Sequence, residues 1–255
     1  MKVVILAGGF GTRIGEKTDT IPKPLIKIGD KPIIWHIMKI FSHYGYNDFV
    51  IALGYKGYEI KKFFLNLNNF SSDLKIDFEK NNVQLINKVN EKWNVILSDT
   101  GQNTMTGGRV KKIKKYLNNE RFFLTYGDGV ADINLNKLLN FHIKNKKITT
   151  MTTVNFQNNY GVIKEKNNLV TEFVEKPVDE KKLINAGFFV CEPEIFNYIK
   201  NDKTVFEKDP LQKLAKNKQL VSFRHNGFWH SMDTLKDKNN LEKLWKLKPK
   251  WKIWN

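Results

Sequence analysis

Met1-Lys2-Val3-Val4-Ile5-Leu6-Ala7 is a short apolar run that stops at Gly8-Gly9-Phe10-Gly11-Thr12-Arg13, and this feature constrains the chain more than any other. A run of that length, bounded by glycine, has the form of a strand buried on both faces of a parallel sheet. A strand buried in that way needs crossover helices to cover it. The pattern supplies them: Pro32 to Tyr44 reads as a helix with Ile33, Ile37, Ile40 and Phe41 on one face, and Asp48 to Leu53 reads as a second buried strand. Gly54 to Asn66 is helical in turn. Strand, helix, strand, helix in succession implies right-handed crossovers and an α/β fold, a Rossmann-like open, mostly parallel mixed sheet with helices on both faces.

Further along, Lys75 to Glu79 and Asn94 to Asp99 read as strands, Gly107 to Leu117 as a basic helix, and Phe122 to Tyr126 as another buried strand. That strand ends at Gly127-Asp128-Gly129, which delivers a carboxylate to the carboxyl edge of the sheet, the usual ligand site of open α/β folds. Asn134 to Lys144 reads as helical and Ile148 to Asn155 as extended. Short strands and turns are expected from Gly161 through Val190, then a helix from Pro193 and a basic, aromatic end with Trp245, Trp251 and Trp254. With no repeat and no linker rich in Gly, Pro or Ser, residues 1–255 read as one domain, a core over 1–155 and a dependent part over 156–255.

Composition narrows the class. A chain of 255 residues that is 41% hydrophobic can bury a sizeable core. Cys191 is the one cysteine, so neither a disulfide framework nor a structural zinc site is available, and a reducing compartment is expected. The short apolar start and the lack of any run of about 18 apolar residues predict a cytoplasmic protein without a membrane span. The net charge of +17 is compatible with nucleic acid, an anionic surface or anionic substrates. Its lysine runs, such as Lys111-Lys112-Ile113-Lys114-Lys115, read as solvated surface.

The chemistry starts at the glycine turn. Glycines let a backbone approach an anion and aim N–H groups at it, and Arg13 adds a charge-assisted fork, so the turn reads as a polyphosphate cradle. Its spacing fits neither the dinucleotide fingerprint nor the P-loop. Pro22-Lys23-Pro24 then holds a lysine between two residues of fixed φ.

Taken together, Gly-Phe-Gly-Thr-Arg and Pro-Lys-Pro resemble the signature of the sugar-1-phosphate nucleotidyltransferases. Met105-Thr106-Gly107-Gly108-Arg109, Tyr126-Gly127-Asp128-Gly129, Glu175-Lys176-Pro177, Gly227-Phe228-Trp229 and Met232-Asp233-Thr234 resemble the glucose-1-phosphate cytidylyltransferase branch over almost the whole chain. The resemblance implies transfer of CMP from CTP to glucose 1-phosphate with Mg²⁺, as in surface polysaccharide and capsule synthesis. It implies that Leu6, Ala7, Gly8, Gly9 and Phe10 form the nucleotide loop, with Gly11, Thr12, Arg13 and Lys23 at the triphosphate and Thr104 and Arg109 as further CTP contacts. Arg13, Lys23 and Asp128 would be catalytic, and Asp128 and Asp233 would hold the metal. Gly161, Glu175, Lys176 and Asn185 would bind the acceptor in a small acceptor-binding subdomain. It also implies a homo-oligomer with the active site near a subunit boundary, and no nucleic-acid or membrane partner. The chain departs from the branch at Phe156-Gln157-Asn158-Asn159-Tyr160, where relatives carry a proline-glycine-arginine loop, and at Ala186, where they carry glycine. Another sugar phosphate, or a non-sugar phosphate, therefore stays open as the acceptor. A basic nucleic-acid-binding protein on the same fold is the reading of a different class.

Overall fold

The computed structural model describes residues 1–11, 21–87, 91–156, 162–166, 169–174 and 182–254. In chain order the elements are β1 (Val3–Ala7), the hairpin β2 (Lys27–Ile28) and β3 (Lys31–Pro32), α1 (Ile33–His43), β4 (Asp48–Leu53), α2 (Gly57–Ser71), the hairpin β5 (Asp73–Asp77) and β6 (Asn82–Ile86), and β7 (Asn94–Asp99). There follow α3 (Thr106–Lys112), β8 (Phe122–Tyr126), β9 (Gly129–Ala131), α4 (Leu135–Asn145), β10 (Thr149–Phe156), and the hairpin β11 (Val162–Lys166) and β12 (Leu169–Val174). The chain ends with β13 (Lys182–Cys191), α5 (Asp209–Lys216), β14 (Leu220–Arg224), β15 (Trp229–Ser231) and α6 (Leu235–Leu247).

Seven strands form the central sheet in the order β14-β10-β13-β8-β1-β4-β7. Within it β7, β4, β1 and β8 pair in parallel, β14 pairs in parallel with β10, and β13 runs antiparallel to both β8 and β10. The apolar run of β1 has a use for every side chain. Val3, Ile5 and Ala7 enter a core shared with α1, the start of α4 and the C-terminal tryptophans, while Val4 and Leu6 enter a second core shared with α3 and α5. A strand covered on both faces cannot alternate apolar with polar residues, which is why the continuous run was diagnostic.

The expected strands Asp48 to Leu53, Asn94 to Asp99 and Phe122 to Tyr126 have the same bounds in the structure. Other readings shift. Gly54 to Lys56 form a turn before α2, with Gly57 N–H bonded to Gly54 O and Lys56 at φ 50°. The basic helix breaks at Ile113 into a single 3-10 turn, and the helix read from Pro193 is also 3-10, spanning Pro193–Tyr198. The largest correction is β13, which was read as short strands and turns but is a ten-residue strand inside the sheet. Gly187 interrupts its pattern because it sits at φ +79° and because a Cβ there would lie 2.5 Å from the Tyr126 ring, so glycine reports close packing. Among the described residues no helix is long and apolar enough to cross a membrane.

The tryptophans of the basic C-terminal segment pack. Trp251 is fully buried, and Trp245, Trp251 and Trp254 surround His36 of α1 with ring centroids 4.7, 6.1 and 6.1 Å away. His36 Nε2–H donates to Ile28 O at 2.9 Å, and Nδ1 accepts from Trp251 Nε1–H at 3.5 Å. A proton on Nδ1 would confront that N–H, and burial already lowers the ring's pKa below the ordinary histidine value, as it does for His142. The unfolded chain therefore binds these protons more readily than the native one. The associated stability is fully present above the unfolded pKa, about 6.5, and is lost as pH falls below it. Thermal melts from pH 8 to pH 5 should show this acid-side loss, with a shallower slope in His36→Asn; a melting temperature independent of pH over that range would refute the assignment.

Candidate active site

The loops at the carboxyl ends of β1, β7 and β8 enclose a cavity of about 480 Å³. Leu6 to Gly11 form one wall, Lys23 and Pro24 a second, residues 102–106 with Arg109 a third, and Tyr126 to Asp128 with Asp233 the floor. Of the residues singled out from sequence, Leu6, Ala7, Gly8, Gly9, Phe10, Gly11, Lys23, Thr104, Arg109, Asp128 and Asp233 all line this space. Thr12, Arg13, Gly161, Glu175, Lys176 and the loop ending at Tyr160 lie outside the described residues, apart from Phe156, whose backbone ends β10.

The glycines of the first loop do different jobs. Gly11 sits at φ +68°, which favours glycine for conformational reasons, while a Cβ on Gly9 would meet nothing within 4 Å, so this glycine leaves the loop open toward the cavity. Gly8 makes room for the protein itself, since a Cβ there would fall 2.4 Å from the Arg109 guanidinium.

Lys23 opens a single 3-10 turn (Lys23–Leu25), with Pro22 at φ −63° before it and buried Pro24 after it. The missing N–H of Pro24 costs nothing in a first turn, and its ring lies against Gly127, where a Cβ would meet Pro24 Cγ at 3.2 Å. The lysine is thereby aimed at the carboxylates. Its Nζ donates to Asp128 Oδ2 at 2.6 Å and to Asp233 Oδ1 at 2.9 Å. Burial on its own would lower this ammonium's pKa, but the two aspartates outweigh it and the net direction is upward, so Lys23 stays charged.

Asp128 follows β8, and Asp233 arrives from far along the chain because β15 pairs antiparallel with β9, setting Ser231 opposite Gly129. Met232 N–H donates to Asp128 O at 2.8 Å, which fixes the two aspartates as neighbours. Ser231 Oγ–H donates to Asp233 Oδ2 at 2.9 Å. The cap of α4 is Asn134, whose side chain accepts from Lys137 N–H, while Asp132 Oδ1 lies 3.0 Å from His225 Nε2.

The helix start near Arg109 is not a free anion site. The N–H groups of Met105, Gly107 and Gly108 donate to the carbonyls of Asp202 and Thr204 at 2.8 to 3.2 Å. The paired glycines permit this approach, because a Cβ on Gly107 would lie 2.8 Å from Thr204 O and one on Gly108 2.6 Å from Asp202 Cα. Thr104 Oγ1–H likewise turns inward, to Thr100 O at 2.6 Å.

Sequence reasoning passed over Gln102, Asn103 and Tyr126, which also line the cavity. Tyr126 could have been found from its place directly before Gly127-Asp128. Its hydroxyl donates to Glu207 Oε1 at 2.6 Å and accepts from Asn185 Nδ2 at 3.2 Å, and Asn185 Oδ1 accepts from Gly187 N–H at 2.8 Å. Asn185 is thus held at both ends of its amide beside the cavity. Burial next to Glu207 pushes the Tyr126 phenol well up, so it remains a donor. Cys191 takes no part: burial pushes its thiol up to about 12.

The model of the nucleotidyl transferase family matches residues 2–245. The chain belongs to that family. This nucleotidyl transferase is 46% identical over 256 residues to the glucose-1-phosphate cytidylyltransferases of Salmonella typhimurium and Salmonella typhi, covering 100% of each chain. It shares its fold with HddC from Yersinia pseudotuberculosis, at a TM-score of 0.67 and 24% identity, covering 96% of this chain and 99% of that one. Among the described residues of the nucleotidyl transferase, no group of three or more His, Cys, Asp or Glu side chains could hold a metal ion.

Proposed function

We propose that this nucleotidyl transferase moves CMP from CTP to glucose 1-phosphate, giving CDP-glucose and pyrophosphate. The observation that carries the reading is the convergence of Lys23, Asp128 and Asp233 at the floor of a cavity walled by the glycine loop. The full-length 46% identity to glucose-1-phosphate cytidylyltransferases supports both nucleotide and acceptor. A phosphate oxygen of the acceptor attacks the α-phosphorus of CTP, and pyrophosphate departs without a covalent enzyme intermediate. The protein's part is to align the two phosphates and to place positive charge where negative charge develops. Lys23 supplies such a charge beside Asp128. The loop from Leu6 to Gly11 offers backbone to the nucleotide, Thr12 and Arg13 bind the triphosphate, and Asn185, Gly161, Glu175 and Lys176 receive the acceptor.

The donor set suits Mg²⁺, since two carboxylates converging on one cation position leave phosphate oxygens and water to complete an oxygen shell. Asp128 and Asp233 would hold the ion, which when bound would neutralise phosphate charge. The cytoplasm, where CTP is made, is the compartment proposed.

A homo-oligomer is part of the same proposal. The β5–β6 hairpin sets Leu74 opposite Leu85 and Ile76 opposite Val83, and leaves Leu74, Ile76 and Val83 exposed, an apolar ribbon face suited to a second copy. A monomer mass by light scattering at micromolar concentration would refute it.

The test of the reaction is pyrophosphate release with CTP, Mg²⁺ and a panel of phosphates. Glucose 1-phosphate should give the highest kcat/KM, by at least about tenfold over other acceptors. Silence with glucose 1-phosphate and turnover with another sugar phosphate or a non-sugar phosphate would keep the nucleotide chemistry and replace the acceptor. No turnover with any phosphate, together with tight RNA binding that weakens steeply with salt, would favour the nucleic-acid reading.

A further inference from the structure

We propose that Arg109 is a positioning residue, whose guanidinium assembles the cavity wall by joining the carboxyl ends of β1, β4 and β7. Its charge is spent on the protein's own oxygens. Nη1 donates to Leu53 O at 2.9 Å, Thr100 Oγ1 at 2.7 Å and Gly101 O at 2.8 Å, and Nη2 donates to Gly8 O at 2.9 Å and Gln102 O at 3.1 Å. The side chain is buried, and burial lowers its pKa, opposed in part by Asp99. A buried guanidinium is tolerated when its donors are answered, and oxygens at the carboxyl ends of three strands answer both Nη1 and Nη2.

Two glycines reserve the space. A Cβ on Gly8 would fall 2.4 Å from the guanidinium and one on Gly54 2.2 Å from it, and these glycines lie on different loops. Gly8 O is held from the other side by Tyr55 N–H at 3.2 Å. One turn further along α3, Lys112 Nζ donates to Thr100 O at 3.0 Å and pairs with Asp202 at 2.6 Å, so the loop at 100–104 is gripped twice. Lys112, read from sequence as solvated surface, belongs to this framework. The planar fork matters here, because no point charge can reach Gly8 O, Leu53 O and Gln102 O together.

The inference uses the CTP reading only to name the ligand. Its primary measurement is hydrogen exchange in nucleotide-free protein. In Arg109→Lys, which keeps the charge but loses the fork, exchange at residues 8–10 and 100–104 should rise at least about tenfold while the rest of the sheet stays protected. With substrates, KM for CTP should rise by about tenfold or more and KM for the acceptor should stay within about twofold. Gly54→Ala changes a residue outside the cavity lining yet meets the guanidinium, and it should reproduce both effects. Unchanged exchange in nucleotide-free Arg109→Lys would overturn the proposal: with weakened CTP binding it would make Arg109 a direct ligand, and with normal binding it would show that charge suffices. If Arg109→Lys fails to fold, Gly54→Ala carries the test on the same criteria. Should CTP not be the substrate, wild-type protein will show no CTP turnover, and the exchange result still decides the role of Arg109.

Discussion

Replacing Asp128 by asparagine is expected to lower turnover at least about a thousandfold while the protein stays folded. Asparagine has nearly the same shape and can still accept from Lys23, so the 2.6 Å contact need not be lost as geometry. What disappears is one of the two negative charges that converge on the Lys23 ammonium, and Asp233 remains as the single carboxylate there. Asp233→Asn should behave alike, because Asp233 Oδ1 meets the same ammonium at 2.9 Å. Steady-state pyrophosphate release at saturating CTP and Mg²⁺ reads the activity, and a melting temperature within a few degrees of wild type reads the fold. A rate near wild type in either variant would remove these carboxylates from the chemistry.

Trp251→Ala is expected to be the most damaging single change to stability among the residues described, at about 3–5 kcal/mol. Trp251 is fully buried, stacks on Phe228 at 5.6 Å and packs against Trp245 at 6.1 Å. Its indole N–H is also the donor facing His36 Nδ1, so truncation opens a cavity and leaves a buried acceptor unanswered. For a chain of this size the melting temperature should fall by roughly 10 °C. Differential scanning fluorimetry would measure it. A loss below about 2 °C would mean that the C-terminal segment only rests on the domain.

The parallel core was legible because its strands are buried on both faces and therefore advertise themselves as apolar runs. The same physics hid β13. Its first part, Lys182 to Asn185, is exposed to half-buried, the rest is buried, and Gly187 interrupts the buried part to admit Tyr126, so no single period describes it. The β2–β3 hairpin and α5 have no counterpart in the sequence reading, and the strand read over Lys75 to Glu79 is β5, shifted to Asp73–Asp77 and paired with an unread β6; these are short elements whose register depends on neighbours that local pattern does not contain.

At the cavity the division is finer. Asp128 could be picked out locally, as an aspartate between glycines at the end of a buried strand, and Lys23 could be picked out by its flanking prolines. Asp233 has no such local signature. Only the pairing of β15 with β9 sets it beside Asp128, and it came into the reading through resemblance. Gly8 taught the opposite lesson, since a glycine read as space for phosphate is space for Arg109.

By itself the sequence determined a mostly parallel sheet with a glycine turn at its carboxyl edge, because burial on two faces and the special conformations of glycine and proline are properties of a few adjacent residues. The tertiary structure alone decided which cation answers which carboxylate, that the start of α3 is capped by the chain's own carbonyls, and that Arg109 bonds to the carboxyl ends of three strands. Those outcomes depend on hydrogen-bond partners drawn from segments far apart in the chain, and no local periodicity records them.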